Sequence, residues 1–244
     1  MNIQHIFNIK NSTRSLLLFL IICTAACKKS SPKDFQVIKK PATIVVLGSS
    51  TAAGGGATSI DSGWVFRLQS IINKTEQKAR FINLAVEGYT LYQAMPTGYH
   101  SADRPSPDTA RNITKALSYS PDMVMINFPS NDIAANYTDE EILNNYKELT
   151  HTLDSARVVY IIFSTQPRDF QDSSQRMRLK AINDKINSLY PLHSNDYLNV
   201  LSTSTYSIKP KYEAGDGIHI NNSGHEVIVE KTLQQPLLIQ LLNR

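Results

Sequence analysis

Short, nearly continuous apolar runs alternate along this chain with stretches of helical spacing, and that alternation constrains the fold more than any other feature. Thr43-Ile44-Val45-Val46-Leu47 and Met123-Val124-Met125-Ile126 carry no charge and no alternation of polar with apolar residues. Strands buried on both faces have this pattern. We predict strands over residues 43–47, 80–85, 123–128 and 158–164, with a weaker fifth over 197–201. Helices are predicted over 64–73 (apolar at 64, 65, 68, 71 and 72) and 110–118. A third, over 139–153, is opened by Thr138 with acids in its first turn. A fourth spans 173–189, with Met177, Leu179, Ile182, Ile186 and Leu189 near one face. The closing helix, 223–233, is interrupted near Pro236. Buried strands alternating with helices imply a mostly parallel sheet covered on both sides, an α/β architecture of three α/β/α layers. No internal repeat and no second domain is evident.

The first residues read as an export signal rather than as fold. Lys10 and Arg14 are cationic, no acid precedes them, and residues 16–26 are almost wholly apolar. That run is too short to span a bilayer as a helix, which favours a cleaved signal over an uncleaved anchor. Thr24-Ala25-Ala26-Cys27 resembles a bacterial lipoprotein cleavage box, with Cys27 as the lipidated residue and Thr24 in place of the usual Leu. Plain cleavage after Ala26 is the alternative. The expected organisation is therefore a signal over 1–26, a Lys/Ser/Pro-rich tether over 27–40 and one domain over 41–244. The expected location is the cell envelope. The only two cysteines of the chain are Cys23 and Cys27, so the domain holds no disulfide and no cysteine metal site. Losing Lys10 and Arg14 with the signal leaves 23 basic against 21 acidic residues. So even a balance gives no electrostatic case for a nucleic-acid partner.

In open parallel sheets, ligands bind beyond the carboxyl ends of the strands. Three residues with useful chemistry fall there: Ser50 after the first strand, Gly88 after the second and Asn131 after the third. A serine hydroxyl becomes a nucleophile when a base takes its proton. A backbone N–H at Gly88 and the Asn131 amide are donors suited to an oxyanion, although a turn glycine and an Asx turn explain the same residues equally well. Gly48–Gly56 is also explicable as a Ser/Gly-rich turn. It is not a phosphate loop, because G-x-x-x-x-G-K-[ST] is absent, nor a dinucleotide fingerprint, because Ser59 stands where the last glycine belongs. The elbow G-x-S-x-G fails at Ala52. Near the far end, Asp216-Gly217-Ile218-His219 places a carboxylate three residues from an imidazole. That spacing suits a carboxylate that fixes the tautomer of a base. His225, followed by Glu226, competes as base but lacks such a partner and suits a helix-face or capping role. No His/Asp/Glu cluster has metal-ligand spacing, and no cofactor is expected.

Four blocks taken together resemble the SGNH (GDSL-type) hydrolase family over residues 43–235. They are Gly48-Ser49-Ser50, Asn83 to Gly88, Ser130-Asn131-Asp132 and Asp216-Gly217-Ile218-His219. The resemblance implies a flavodoxin-like three-layer sandwich with a five-stranded parallel sheet. It implies Ser50 as nucleophile, His219 as base and Asp216 as its orienter, with Ser50, Gly88 and Asn131 forming the oxyanion hole. Two positions depart from the family pattern: Ser49 replaces the usual aspartate before the nucleophile, and Pro129 the usual glycine of the third block.

The substrate is then an ester. Residues 91–108 form a long aperiodic connection carrying Tyr92, Tyr99, His100 and Arg104, groups suited to a sugar. An envelope-tethered enzyme of this kind fits deacetylation of a glycan. A lipid-acting esterase is the alternative within the class, and a catalytically silent glycan-binding lipoprotein the alternative outside it.

Overall fold

A computed structural model describes residues 40–128 and 130–244. The signal, the tether up to residue 39, Cys27 and Pro129 lie outside the described residues. Five strands, β1 (Ala42–Gly48), β2 (Ala79–Asn83), β3 (Met123–Asn127), β4 (Val159–Phe163) and β5 (Ser194–Asn195), form one sheet in the order β2-β1-β3-β4-β5. Every pairing is parallel.

Alternate residues of the central strands feed two separate cores, which is why these strands read as unbroken apolar runs. Val45, Leu47, Val124, Ile126 and Ile162 face one core, packed by α4 (Ile113–Ser118), α6 (Asp139–Ser155) and α7 (Ser173–Leu189). Ile44, Val46, Met123, Met125, Ile161 and Phe163 face the other, packed by α2 (Trp64–Ile72), α9 (Asn222–Leu233) and α10 (Pro236–Leu242). The layers are those predicted. Helix ends follow their caps. Thr138 and Glu141 form a capping box at α6, Asn112 accepts from the Lys115 N–H at α4, and Asn221 accepts from the Ser223 and Gly224 N–H groups at α9.

The fifth strand is a correction. Residues 197–201 were expected extended, but Leu198–Leu201 is a helical turn, α8, and β5 is the preceding pair Ser194–Asn195. Asp196 Oδ1 accepts the Leu198 N–H at 3.1 Å and starts the turn, which buries Leu198 and Leu201 at a spacing of three. A run of five residues satisfies both periods, and the tertiary contact decides. The 91–108 connection is also not wholly irregular, since it opens with a short helix, α3 (Leu91–Ala94).

Strand order reverses between β1 and β3, and a crevice opens beyond their carboxyl ends. Two short helices start there: α1 (Ser50–Ala53) follows β1, and α5 (Ser130–Ala134) follows β3.

Candidate active site

Ser50 is the first residue of α1, and its side chain sits against the turn that precedes α9. The Ser50 hydroxyl donates to His219 Nε2 at 2.9 Å. The opposite ring nitrogen, Nδ1–H, donates to Asp216 Oδ2 at 2.6 Å. Asp216 Oδ1 accepts the N–H groups of Ile218 and His219, each at 2.8 Å, so one carboxylate caps its own turn and orients the ring. Partial burial pushes the Asp216 pKa up, but the His219 N–H, the His219 ring and the Ile218 N–H outweigh it and hold it down to about 2. An ionised Asp216 only accepts, which fixes the proton on Nδ1 and leaves Nε2 free to take one.

Supports for this turn escape a reading of the sequence alone. Glu213 Oε1 accepts the N–H groups of Gly215 and Gly217 at 2.8 and 2.7 Å. Gly56 has φ of +83°, and a Cβ there would stand 2.3 Å from the Ile220 carbonyl oxygen and 2.7 Å from His219 Cβ. The backbone passes behind the imidazole so closely that only glycine fits.

Gly88 (φ +77°) and Asn131 bring the other candidate groups to the crevice. Among the described residues, neither the Ser50 N–H nor the Gly88 N–H meets an acceptor. Asn131 Nδ2 donates to the Tyr89 carbonyl at 3.0 Å, and its Oδ1 accepts from Arg168 at 3.1 Å. Ser49 is buried as the residue before α1 and makes no side-chain capping bond.

Two of the four loop residues expected to meet substrate, Tyr92 and Arg104, bond to other parts of the protein. Tyr92 is 3% exposed, and its hydroxyl donates to Glu141 at 2.5 Å. Arg104 grips the same carboxylate through Nε and Nη2 at 2.5 and 3.1 Å and lies over the Tyr137 ring. Tyr99 packs against this group, 6.2 Å from Tyr92 between ring centroids, while His100 is exposed. Tyr92 and Arg104 thus spend these donors within the protein. They strap the loop to α6, because a half-buried glutamate takes up both donors. Among the described residues, no three His, Cys, Asp or Glu side chains cluster as metal ligands would.

His225 and Asp132 brace the crevice from beneath. The His225 ring is fully buried; Nδ1 accepts the Trp64 N–H at 3.3 Å and Nε2–H donates to the Gly55 carbonyl at 3.0 Å. Burial pushes its pKa down from 6.5 to about 4, so its contribution to stability is present above 6.5 and lost as pH falls toward 4. Asp132 is buried on α5 and accepts the Leu91 N–H at 3.0 Å. Burial pushes its pKa up from 3.8 to about 8, so its contribution is present below 3.8 and lost as pH rises toward 8. The two slopes oppose each other between pH 4 and 6.5, and Asp132 acts alone above that. We predict that stability falls from pH 6.5 to 8 by about 2 kcal/mol, at roughly 1.4 kcal/mol per unit. In Asp132→Asn that fall should vanish, and the acid-side loss from His225 should emerge. Urea midpoints measured across this range check it; an Asp132→Asn profile parallel to wild type would rule out a neutral buried carboxyl.

The model of the GDSL-like lipase/acylhydrolase family matches residues 46–227. Among solved structures, the fold is similar to that of a psychrotrophic esterase from Pseudoalteromonas sp. inhibited by monoethylphosphonate. The identity is 17%, with 83% of this chain and 99% of that one covered and a TM-score of 0.61. It is similar to a GDSL-like lipase from Bacteroides thetaiotaomicron at 17% identity, 81% and 88% coverage and a TM-score of 0.58. It is also similar to a two-domain esterase active on acetylated mannans, at 18% identity, 84% and 50% coverage and a TM-score of 0.55. No curated protein matches the chain in sequence.

Proposed function

Because the chain belongs to the GDSL-like lipase/acylhydrolase family and is an ester hydrolase, we propose that it cleaves O-acetyl esters of carbohydrate through Ser50, His219 and Asp216. The observation that carries this reading is the unbroken hydrogen-bonded line from Asp216 through His219 to the Ser50 hydroxyl. As Ser50 Oγ attacks the ester carbonyl, its proton passes to His219 Nε2, and Asp216 stabilises the imidazolium. The oxyanion is held by the N–H groups of Ser50 and Gly88 and by the second N–H of Asn131. The C–O bond then breaks and His219 protonates the departing alcohol. Water, deprotonated by the same ring, attacks the acyl-enzyme and releases acetate.

Two considerations favour a carbohydrate over a bilayer lipid. Asp216, Arg168 and Asn131 make the mouth of the crevice polar. Lys40 precedes the amino end of β1, whereas Ser50 follows its carboxyl end, about 20 Å away at the rise of a seven-residue strand. A chain tethered through Cys27 is thus attached at the sheet edge opposite its nucleophile, which suits an exported, lipid-anchored enzyme facing a polymer. The similarity in fold to part of a two-domain esterase active on acetylated mannans supports this reading. A longer acyl chain is the second reading. It is favoured by a hollow of about 160 Å³ beside α1, lined by Ala53, Ile60, Val65, Phe66 and Phe81 with Gln69 and Asn83.

The test is acetate release by residues 28–244, beside Ser50→Ala, from p-nitrophenyl acetate and a panel of acetylated polysaccharides. Serine-dependent release from a polysaccharide is expected. Release from the small ester alone, with turnover of lysophospholipid, would replace the carbohydrate reading with the lipid one. No release from any ester, and no labelling of Ser50 by a fluorophosphonate, would leave a silent glycan-binding protein.

A further inference from the structure

We propose that Arg168 is a positioning residue that locks the Asn131 amide in its donating orientation, and that the loop after β4 is the frame holding it there. The inference rests on the reading of Asn131 as an oxyanion donor.

Residues 164–170 follow β4 at the carboxyl edge of the sheet, and they touch the segments that carry Ser50, His219 and Asn131. Gln166 Oε1 accepts the Thr51 hydroxyl of the nucleophile helix at 2.5 Å. Its Nε2 donates to the Ile218 carbonyl, in the turn of the base, at 3.1 Å. The Asp169 N–H donates to the Gly217 carbonyl at 2.8 Å. Between them, Arg168 Nη1 donates to Asn131 Oδ1 at 3.1 Å, with the guanidinium over the Phe170 ring at 5.0 Å. One short segment thus couples nucleophile, base and oxyanion donor.

An asparagine side chain can rotate half a turn with little change in shape, and only its partners decide which end is oxygen. Asn131 has two N–H bonds, and one goes to the Tyr89 carbonyl. Oδ1 faces Arg168, which donates and never accepts. In the flipped amide, oxygen would oppose the Tyr89 carbonyl and NH₂ would oppose the guanidinium, two repulsions in place of two bonds. Tyr89 and Arg168 together therefore force the remaining N–H outward. Without Arg168 the amide is held at one end only, and an oxygen turned toward the crevice repels a developing oxyanion.

The experiment is a double-mutant cycle on kcat and KM for p-nitrophenyl acetate, with Asn131→Ala, Arg168→Met, Arg168→Lys and the pair Asn131→Ala/Arg168→Met. Asn131→Ala is expected to lower kcat by about 10²- to 10³-fold. Arg168→Met should lower kcat by about 10- to 10²-fold with KM little changed, as misplacing one group does. Arg168→Lys, which still donates, should recover part of that loss and guards against a folding defect in the methionine variant. The double variant should be no slower than Asn131→Ala alone, because an amide that is gone needs no lock. Losses that multiply in the double variant, or an Arg168→Met enzyme with full kcat, would overturn the proposal. An Asn131→Ala enzyme with full kcat would instead remove Asn131 from the oxyanion hole, and that failure is distinct.

Discussion

Ser50→Ala is expected to lower kcat on p-nitrophenyl acetate by about 10⁴- to 10⁶-fold, the cost of removing a serine nucleophile from a working triad. The adjacent Ser49→Ala should stay close to wild type. The two serines differ by one residue in sequence but by everything in environment. The Ser50 hydroxyl lies 2.9 Å from His219 Nε2, whereas Ser49 is the buried residue before α1 and makes no side-chain capping bond. Ser49 stands where the family pattern has an aspartate, and among the described residues it bonds to neither His219 nor Asp216, so the exchange should change the local bonding of α1 and not the chemistry. Activity on both variants, with mass analysis of a fluorophosphonate adduct, separates the two. An adduct on Ser49, or an active Ser50→Ala enzyme, would mean that the nucleophile has been misassigned.

The sequence makes the sheet and the ends of the catalytic line visible for one physical reason: each depends on neighbours along the chain. Strands buried on two faces leave continuous apolar runs, and Val45/Leu47 against Ile44/Val46 show both faces in use. Asp216 and His219 share one turn, so their pairing is written in a spacing of three. Ser50 was recognisable because a strand end in a parallel sheet is where chemistry collects. The braces were hidden because their partners come from far away. Gln166 meets Thr51 across 115 residues, and His225 meets Gly55 across 170. Arg168 left one signal, a cation just beyond a strand end, but nothing local tells it from a surface arginine. Distant partners also alter how local segments read. Tyr92 and Arg104 look like free recognition groups until Glu141, distant in sequence, takes both of them. Residues 197–201 look extended until Asp196 caps a turn there.

Asp216→Asn tests the tautomer, and we expect it to cost about 10⁴-fold in kcat while leaving the fold in place. The side chain has two duties that an amide can divide in only one way. Asp216 Oδ1 accepts the Ile218 and His219 N–H groups, so an asparagine must keep its oxygen on that side. Its NH₂ then faces His219 Nδ1, where Oδ2 now accepts at 2.6 Å. Donor opposing donor is repulsive, so the ring surrenders the Nδ1 proton and carries it on Nε2. That proton points at the Ser50 hydroxyl, and a ring that must donate there has no lone pair with which to take the serine proton. The turn itself keeps its backbone bonds, so melting should barely change. Nitrogen-15 shifts of His219 report the switch directly, with the protonated nitrogen moving from Nδ1 to Nε2 as kcat collapses. If kcat falls less than about tenfold and Nδ1 stays protonated, the carboxylate does not set the tautomer. The Nδ1 proton would then have to be held by another acceptor near the turn, and Asp216 would be reduced to capping it.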